Sequence, residues 1–204
     1  MLYIGIDLGT SACKLLLVAE DGSILNTVTK EYPLSFPHPG WSEQRPEDWR
    51  DAVVSGIPKL LQGFDAEQVA GIGTGGQMHG IVALDAQDNV IRPAILWNDG
   101  RTSKEVDYLN NVVGKDKLSA LTANIAFAGF TAPKLLWMRE NEPESFKKIA
   151  KIMLPKVSKR HSSQRCKVAD KDKLTSQANV WCFLMDCSVV KTGQFFDYQR
   201  GAQP

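Results

Sequence analysis

The sequence predicts an α/β fold built on a mixed β-sheet, and two patterns support this fold class. Three short apolar segments follow one another near the N-terminus, which is typical of an antiparallel meander. Farther along, apolar segments of strand length alternate with segments of helical periodicity, as in domains whose helices cover a sheet. With 43% hydrophobic and 23% charged residues among 204, the composition is that of an ordinary globular protein.

The meander consists of predicted strands that begin at Leu2 and Ala12 and of a third strand over 23–32. Asp21 and Gly22 form a strong turn signal between the second and third strands. We therefore expect these strands to be antiparallel neighbours.

A helix should follow the proline-rich loop over 33–46, with Glu47 and Asp48 in its first turn, where acidic side chains favour the helix dipole. Pro58 should kink or split this helix, because proline removes a backbone donor. Its apolar side chains share one face: Trp49, Val53, Ile57, Leu60 and Leu61.

The segment 71–76 satisfies the dinucleotide-binding pattern G-x-G-x-x-G, but its context excludes that interpretation. The pattern requires a helix that begins at the turn and points N–H groups at a pyrophosphate. Here a strand over 69–73 enters the glycines, and another strand over 81–85 follows them. The remaining predicted elements are helices over 102–113 (closed by Gly114), 116–121, 131–140 (capped by Thr131) and 142–150, and a strand over 152–154.

The turn between the first two strands is a candidate phosphate site. Gly9 lets a ligand approach the backbone, Thr10 and Ser11 add hydroxyl groups, and successive N–H groups can form an anion-binding nest. Asp7 would face a phosphate only with Mg²⁺ between them, directly or through water. The alternative is an ordinary hairpin in which Asp7 accepts bonds from local N–H groups.

This stretch, GIDLGTSACK, resembles the first phosphate loop of the sugar-kinase, actin and Hsp70 class of ATPases, and most of all that of the FGGY carbohydrate kinases. Further segments narrow the resemblance: PHPGWSEQ (37–44), GQMHG (76–80), PAILWNDGR (93–101) and GFTAPKLLW (129–137). Several motifs in the same order are more specific than any single motif. The resemblance extends from residue 1 to about Lys156.

The resemblance implies that residues 1–156 form a ribonuclease-H-like (actin-like ATPase) N-terminal domain, with a mixed five-stranded sheet flanked by helices. It also implies ATP and Mg²⁺ as cofactors, with Asp7 binding the metal through water. The implied phosphate contacts come from Gly9, Thr10, Ser11 and Lys14. Lys14 has an alternative role as a solvent-facing strand residue.

On the substrate side, the resemblance implies a ketopentose such as D-xylulose, phosphorylated by ATP in pentose catabolism. Met78 and His79 match the family pair that contacts the sugar. An imidazole offers a donor and an acceptor to adjacent hydroxyls, and a thioether packs against an apolar sugar face. Asn98 and Asp99 belong to a motif that lines the substrate side. Asp99 has an alternative role as a helix N-cap paired locally with Arg101.

The family's catalytic base lies in a Gly-Gly-Asp-type segment that opens a second domain, and this sequence contains no such segment. We therefore expect a truncated kinase with no catalytic residue of its own and negligible activity alone. The alternatives are a non-catalytic sugar- or phosphate-binding module and a gene remnant.

The segment 157–204 does not resemble the family and is expected to be an unrelated tail, frameshifted or disordered. Between Lys156 and Lys173 there are seven Lys or Arg residues against two Asp. Such a run is typical of a solvated segment, and a nucleic-acid patch is the less favoured alternative.

No apolar run approaches the roughly 20 residues that span a bilayer, and no secretory signal precedes the first strand. The four cysteines lack metal-ligand spacing, and Cys13 is expected to be a small core residue. We therefore expect a cytoplasmic protein without a membrane or nucleic-acid partner. The net charge of +1 argues neither for nor against a polyanionic partner.

Overall fold

The computed structural model describes residues 1–155 and a short strand at Val190–Lys191. The predicted tail at 157–204 lies outside the described residues, apart from the backbone of that strand. The described residues form two compact units. These are 1–34 and 46–77 in the first unit, and 35–45, 78–155 and Val190–Lys191 in the second.

Within the described residues, helices follow strands as an α/β fold requires. The strands are β1 (Leu2–Leu8), β2 (Ala12–Ala19), β3 (Ile24–Glu31), β4 (Glu43–Gln44), β5 (Val69–Gly76), β6 (Val82–Leu84), β7 (Ala94–Ile95), β8 (Lys151–Met153) and β9 (Val190–Lys191). The α-helices are α1 (Pro46–Leu60), α2 (Ser103–Asp107), α3 (Lys115–Thr122), α4 (Thr131–Asn141) and α5 (Pro143–Lys147). A 3₁₀ turn at Ala66–Gln68 precedes β5, and a π-helical turn at Tyr108–Gly114 joins α2 to α3.

The first unit is organised around a mixed sheet with the strand order β3-β2-β1-β5. β1, β2 and β3 are antiparallel neighbours, which confirms the predicted meander, and β5 runs parallel to β1. The α/β fold class is therefore confirmed. In the described part of the chain this sheet has four strands, whereas five were expected.

Helix α1 covers the apolar face of this sheet by packing on β2 and β3. The contact is close at Gly56, where an added Cβ would lie 2.1 Å from Cδ1 of the buried Leu15. Pro58 does not split the helix, because it lies in the last turn and removes a single bond of the helical ladder. Leu61 lies just beyond the helix, and the other members of the predicted face are buried: Trp49, Val53, Ile57 and Leu60.

The strand context predicted for the glycine-rich segment is confirmed. β5 continues through the glycines to Gly76 alongside β1, and no helix begins there. The next regular element is the strand β6, as predicted. The backbone N–H groups of a helix N-terminus, which would bind a pyrophosphate, are therefore missing from this position.

The second unit contains two small sheets, β4-β7 and β6-β8-β9, which meet at a bridge between Ile81 and Ile95. Helix α4 contributes Leu135, Trp137 and Met138 to their apolar core. The other buried members of this core are Ile81, Ala83, Ile95, Ile149 and Ile152.

The structure corrects three helix predictions in the second unit. The helix predicted over 102–113 is α2 followed by the π-helical turn. Within that turn the Asn110 side chain donates a hydrogen bond to the Ala126 carbonyl and accepts one from the Ala126 N–H. α5 is shorter than predicted, because Ile149 must turn into the core before β8 begins. Thr131 is the first residue of α4 and does not cap it, since its hydroxyl donates to the carbonyl of His79.

Candidate functional site

The first unit presents a carboxylate and an ammonium group beside the turn between β1 and β2. Asp7 is exposed, and strand alternation turns its side chain away from the face that buries Leu8. The antiparallel register sets the exposed Lys14 directly opposite Asp7. The predicted phosphate and metal residues of this turn therefore lie together, on the sheet face opposite the α1 core.

Backbone and side-chain bonds hold the turn in a tight conformation. The Gly9 N–H donates to the carbonyl of Ala12 at 3.0 Å, and a Cβ at Gly9 would lie 2.8 Å from that oxygen. The Tyr32 hydroxyl donates to the Gly9 carbonyl at 2.5 Å, and the Gln77 N–H donates to the Leu8 carbonyl at 2.8 Å. The Gly9 N–H group is occupied by its bond to the Ala12 carbonyl. Glycine is therefore required here because a side chain would not fit in the turn.

β5 reaches the same turn at its glycine-rich end. A Cβ at Gly76 would lie 2.7 Å from both the Cβ and the carbonyl oxygen of Leu8, and the φ angle of Gly76 is 151°. A Cβ at Gly75 would lie 3.6 Å from Oδ1 of Asp7. Gly75 and Gly76, which belong to the segment that matches the dinucleotide-binding pattern, therefore allow β1 and β5 to approach each other closely beside Asp7.

The second unit presents Met78 and His79 at its surface. Both side chains are exposed, Met78 to 48%. His79 adopts a left-handed backbone conformation with a φ angle of 64°, which is uncommon outside glycine. Its ring stacks on Phe130 with centroids 4.6 Å apart and an interplanar angle of 22°. The Thr131 hydroxyl donates to the His79 carbonyl at 3.1 Å and so helps to hold this conformation.

Further aromatic side chains lie around this pair. Phe127 is 47% exposed and meets Phe130 edge to face, with centroids 5.2 Å apart. Trp97 is 49% exposed, and a Cβ at Gly129 would lie 2.6 Å from its carbonyl oxygen, so its backbone lies against the same loop. Exposed aromatic faces beside hydrogen-bonding groups are suited to a polyol, which has apolar C–H faces as well as hydroxyls.

Several of these residues were not predicted from sequence. Gln77 and Phe130 lie inside two of the motifs that carry the family resemblance, which was a usable signal. Tyr32 and Phe127 gave no such signal, because their roles depend on contacts with residues distant in the chain.

Asn98 and Asp99 have different surroundings in the second unit. Asn98 is exposed, whereas the Asp99 side chain is fully buried. The Asp99 carboxylate accepts bonds from the backbone N–H and guanidinium of Arg101 and, at 2.6 Å, from the Ser42 N–H. The predicted local pairing with Arg101 is confirmed, but Asp99 does not cap α2, whose N-cap residue is Thr102.

Arg101 connects Asp99 to a larger buried ionic cluster. Its side chain is 1% exposed and also pairs with Glu43 at 2.8 Å. The guanidinium lies 3.7 Å from the ring centroid of Trp41 and 4.8 Å from that of Trp137. Such stacking suits a planar, delocalised cation. The other members of the cluster are Arg92, paired with Glu43, and Glu142, paired with Arg92.

Comparison with known families and proteins identifies the family of this chain. The model of the FGGY family of carbohydrate kinases, N-terminal domain, matches residues 2–161. The chain belongs to this family.

Two FGGY kinases of known structure and one curated relative give the scale of the similarity. The xylulose kinase of Escherichia coli (strain K12) is 46% identical over 155 residues, which cover 76% of this chain and 32% of the relative. A crystal structure of a xylulose kinase from Brucella ovis has a TM-score of 0.72 and 44% identity, over 77% of this chain and 33% of that chain. The gluconate kinase of Lactobacillus acidophilus has a TM-score of 0.70 and 29% identity, over 74% of this chain and 31% of that chain.

This FGGY chain spans about a third of the length of the relatives that it matches. The neighbours confirm the predicted actin-like ATPase fold class. The described helices include none that is long and apolar enough to cross a membrane.

Cys13 of this FGGY domain is buried and free, as predicted. Burial, and to a smaller degree the charge of Asp7, raises the pKa of its thiol to about 11. The thiol therefore stays protonated near neutral pH and behaves as a small core side chain.

Proposed function

We propose that this chain contributes the phosphate loop and the sugar-binding surface of a xylulose kinase, which transfers the γ-phosphoryl group of ATP to D-xylulose in pentose catabolism. The exposed Met78–His79 pair, with His79 held by Phe130 and Thr131, is the observation that carries the proposal. The 46% identity to a relative named xylulose kinase supports this choice of sugar. We place the reaction in the cytoplasm, as the cysteine usage predicts.

His79 is suited to bind adjacent hydroxyl groups. A neutral imidazole has one donor and one acceptor nitrogen, so one ring can bond two neighbouring hydroxyls of a ketopentose. Its stacking on Phe130 limits rotation of the ring, which reduces the entropy lost on binding. Met78 would pack against the sugar's apolar face, and Asn98, exposed in the neighbouring motif, would add an amide group.

Asp99 would act on the sugar through other residues. Both of its carboxylate oxygens already accept bonds, and its side chain is fully buried. The direct sugar contact suggested by the motif would break these bonds, so we assign Asp99 to the support of the segment that carries Trp97 and Asn98.

The turn residues fit the phosphates of ATP. A Cβ at Gly9 would collide with the Ala12 carbonyl, so glycine keeps the turn tight, and Thr10, Ser11 and Lys14 would offer hydroxyl groups and a positive charge to the phosphates. Mg²⁺ commonly binds through one or two carboxylates while it keeps several waters, and Asp7 offers one exposed carboxylate of this kind. ATP supplies the phosphoryl group, and Mg²⁺ neutralises its charge.

Titration calorimetry with D-xylulose tests the sugar site. We expect saturable binding by the chain and at least about tenfold weaker binding by His79→Gln, because the flexible glutamine side chain lacks the ring that stacking on Phe130 holds in position. His38→Gln is the matched control, since His38 is exposed and lies in a different segment. Equal binding of gluconate and D-xylulose, or unchanged affinity in His79→Gln, would contradict the proposed substrate.

Titration with Mg-ATP tests the phosphate loop separately. Asp7→Asn should weaken Mg-ATP binding, whereas Asp51→Asn, which alters an exposed surface pair with Arg50, should leave it unchanged. Sugar binding without any ATP binding would instead favour the non-catalytic binding module.

A further inference from the structure

Lys134 in α4 is a lysine with an unusual environment. It is 0% exposed and ranks among the largest fully buried side chains of the described residues. Its ammonium group donates to three successive carbonyl groups, those of Ala128 at 2.9 Å, Gly129 at 2.5 Å and Phe130 at 3.1 Å. Within the described residues it forms no ion pair with a carboxylate.

Burial of this cation is costly, so packing alone does not explain it. A buried ammonium group loses its hydration, and a methionine of similar length would fill the same space without that penalty. Desolvation lowers the pKa of Lys134 to about 7; the charge of Asp99 opposes this shift, and that of Arg101 adds to it. The three carbonyl groups therefore explain the lysine: its ammonium group donates hydrogen bonds to all three, whereas an apolar side chain would leave them unpaired.

These carbonyl groups belong to a segment that we call the aromatic loop, residues 126–130. The loop lacks regular secondary structure, so its backbone groups need partners from elsewhere. Asn110 bonds the backbone of Ala126, and the Thr102 hydroxyl donates to the Ala128 carbonyl at 3.2 Å. Lys134 holds the remaining end of the loop, where Phe130 leads into α4.

That end of the loop is in direct contact with His79. The Phe130 ring stacks on the His79 ring, and the next residue, Thr131, donates to the His79 carbonyl. A change in the backbone at Gly129 or Phe130 would therefore move the surface against which His79 rests.

We propose that Lys134 is a positioning residue for the sugar site, and that its ammonium group holds the aromatic loop in the arrangement that orients His79 through Phe130. The proposal rests on the assignment of His79 to sugar binding. Lys134 itself is fully buried and does not touch the substrate. It acts by satisfying three carbonyl groups at once, which a neutral side chain cannot do.

The test compares the 204-residue chain with Lys134→Met and Lys134→Gln. Lys117→Met is the matched control, because Lys117 is an exposed lysine of the same unit. Proton NMR measures the shift of the His79 ring protons, assigned with His79→Gln, since stacking on Phe130 displaces these signals upfield. Calorimetry measures the affinity for D-xylulose, and thermal denaturation shows whether each variant unfolds cooperatively.

We expect both Lys134 variants to unfold cooperatively, to lose the upfield shift of His79 and to bind D-xylulose about tenfold more weakly. Lys117→Met should match the unsubstituted chain in all three measurements. Unchanged His79 shifts and unchanged affinity in the Lys134 variants would overturn the proposal. So would the loss of cooperative unfolding together with binding, which would make Lys134 a residue required for folding in general.

A measurement on the unsubstituted chain keeps the two proposals separate. At a pH below the lowered pKa of Lys134, protected ammonium protons with couplings across hydrogen bonds to the carbonyl carbons of residues 128–130 would support the positioning role even if no sugar binds. Absence of these signals would count against it. Absence of D-xylulose binding with the signals intact would contradict the sugar-binding function and leave the loop contact standing.

Discussion

At the scale of single residues, the turn that precedes β2 depends on positions where a side chain does not fit. Gly9 and Gly76 both lie so close to neighbouring backbone that an added Cβ would be 2.7 to 2.8 Å from a carbonyl oxygen. Gly76 also has a φ angle of 151°, which other residues rarely adopt. Composition alone does not distinguish such glycines from the replaceable ones beside them.

Gly76→Ala should therefore destabilise the chain by about 2 kcal/mol or more, because strain in φ adds to the contact with Leu8. Urea denaturation measures this change in the free energy of unfolding. Gly73→Ala is the control in the same strand, because nothing lies within 4 Å of its Cβ position, and it should change the free energy by less than about 1 kcal/mol. Equal effects of the two substitutions would show that the close contact with Leu8 is not maintained.

Asp99 shows how burial changes the role of a motif residue. Its sequence motif places it on the substrate side, yet its carboxylate is fully occupied by Arg101 and Ser42. Ser42 is far from Asp99 in sequence, so no local pattern could have indicated this bond. The alternative of local pairing with Arg101 was available from sequence, because the two residues are close neighbours in the chain.

At the scale of elements, the strands and α1 follow from hydrophobic periodicity. β1 and β2 alternate buried and less buried residues, and the apolar stripe of α1 packs on β2 and β3. The helices of the second unit were predicted less well, because side-chain contacts decide where they end. The π-helical turn and the early end of α5 both accompany such contacts, made by Asn110 and Ile149.

The packing of α1 on the sheet can be tested at Gly56. In an isolated helix, Gly56→Ala would be stabilising by about 1 kcal/mol. Here its Cβ would lie 2.1 Å from a carbon atom of Leu15, which is 0% exposed and cannot move aside freely. We expect a net loss of about 1–2 kcal/mol in the free energy of unfolding.

Ser55→Ala is the control for this substitution, because Ser55 is exposed on the same helix. It should change the free energy of unfolding, measured in urea, by less than about 0.5 kcal/mol. A stabilising effect of Gly56→Ala would mean that α1 packs farther from β2 than the structure shows.

At the scale of the whole molecule, the pH dependence of stability reports on Lys134. Burial lowers the pKa of Lys134 from 10.5 to about 7 in the folded state, so the unfolded chain binds more protons between these values. Stability should therefore rise as pH increases above about 7, by at most about 1.4 kcal/mol per pH unit. The gain is complete above the unfolded pKa and is lost as pH falls through the folded pKa.

Urea denaturation between pH 7 and 9 measures this slope. The window ends near pH 9 because Cys13, whose pKa is raised from 9.0 to about 11, makes stability fall with increasing pH beyond that point. Lys134→Met should reduce the slope, and Lys117→Met should preserve it. The same slope in all three proteins would show that the ammonium group of Lys134 is not desolvated by folding.

The sequence by itself determined the α/β class, the meander, α1 and the family, because periodicity and ordered motifs are local properties of the chain. It also indicated the exposed pair Met78–His79 and the turn beside Asp7. Only the tertiary structure decided that Asp99 is buried against Arg101, that Phe130 supports His79 and that Lys134 binds the aromatic loop. Each of these depends on desolvation and on contacts between segments, and neither is encoded in the neighbours of a residue along the chain.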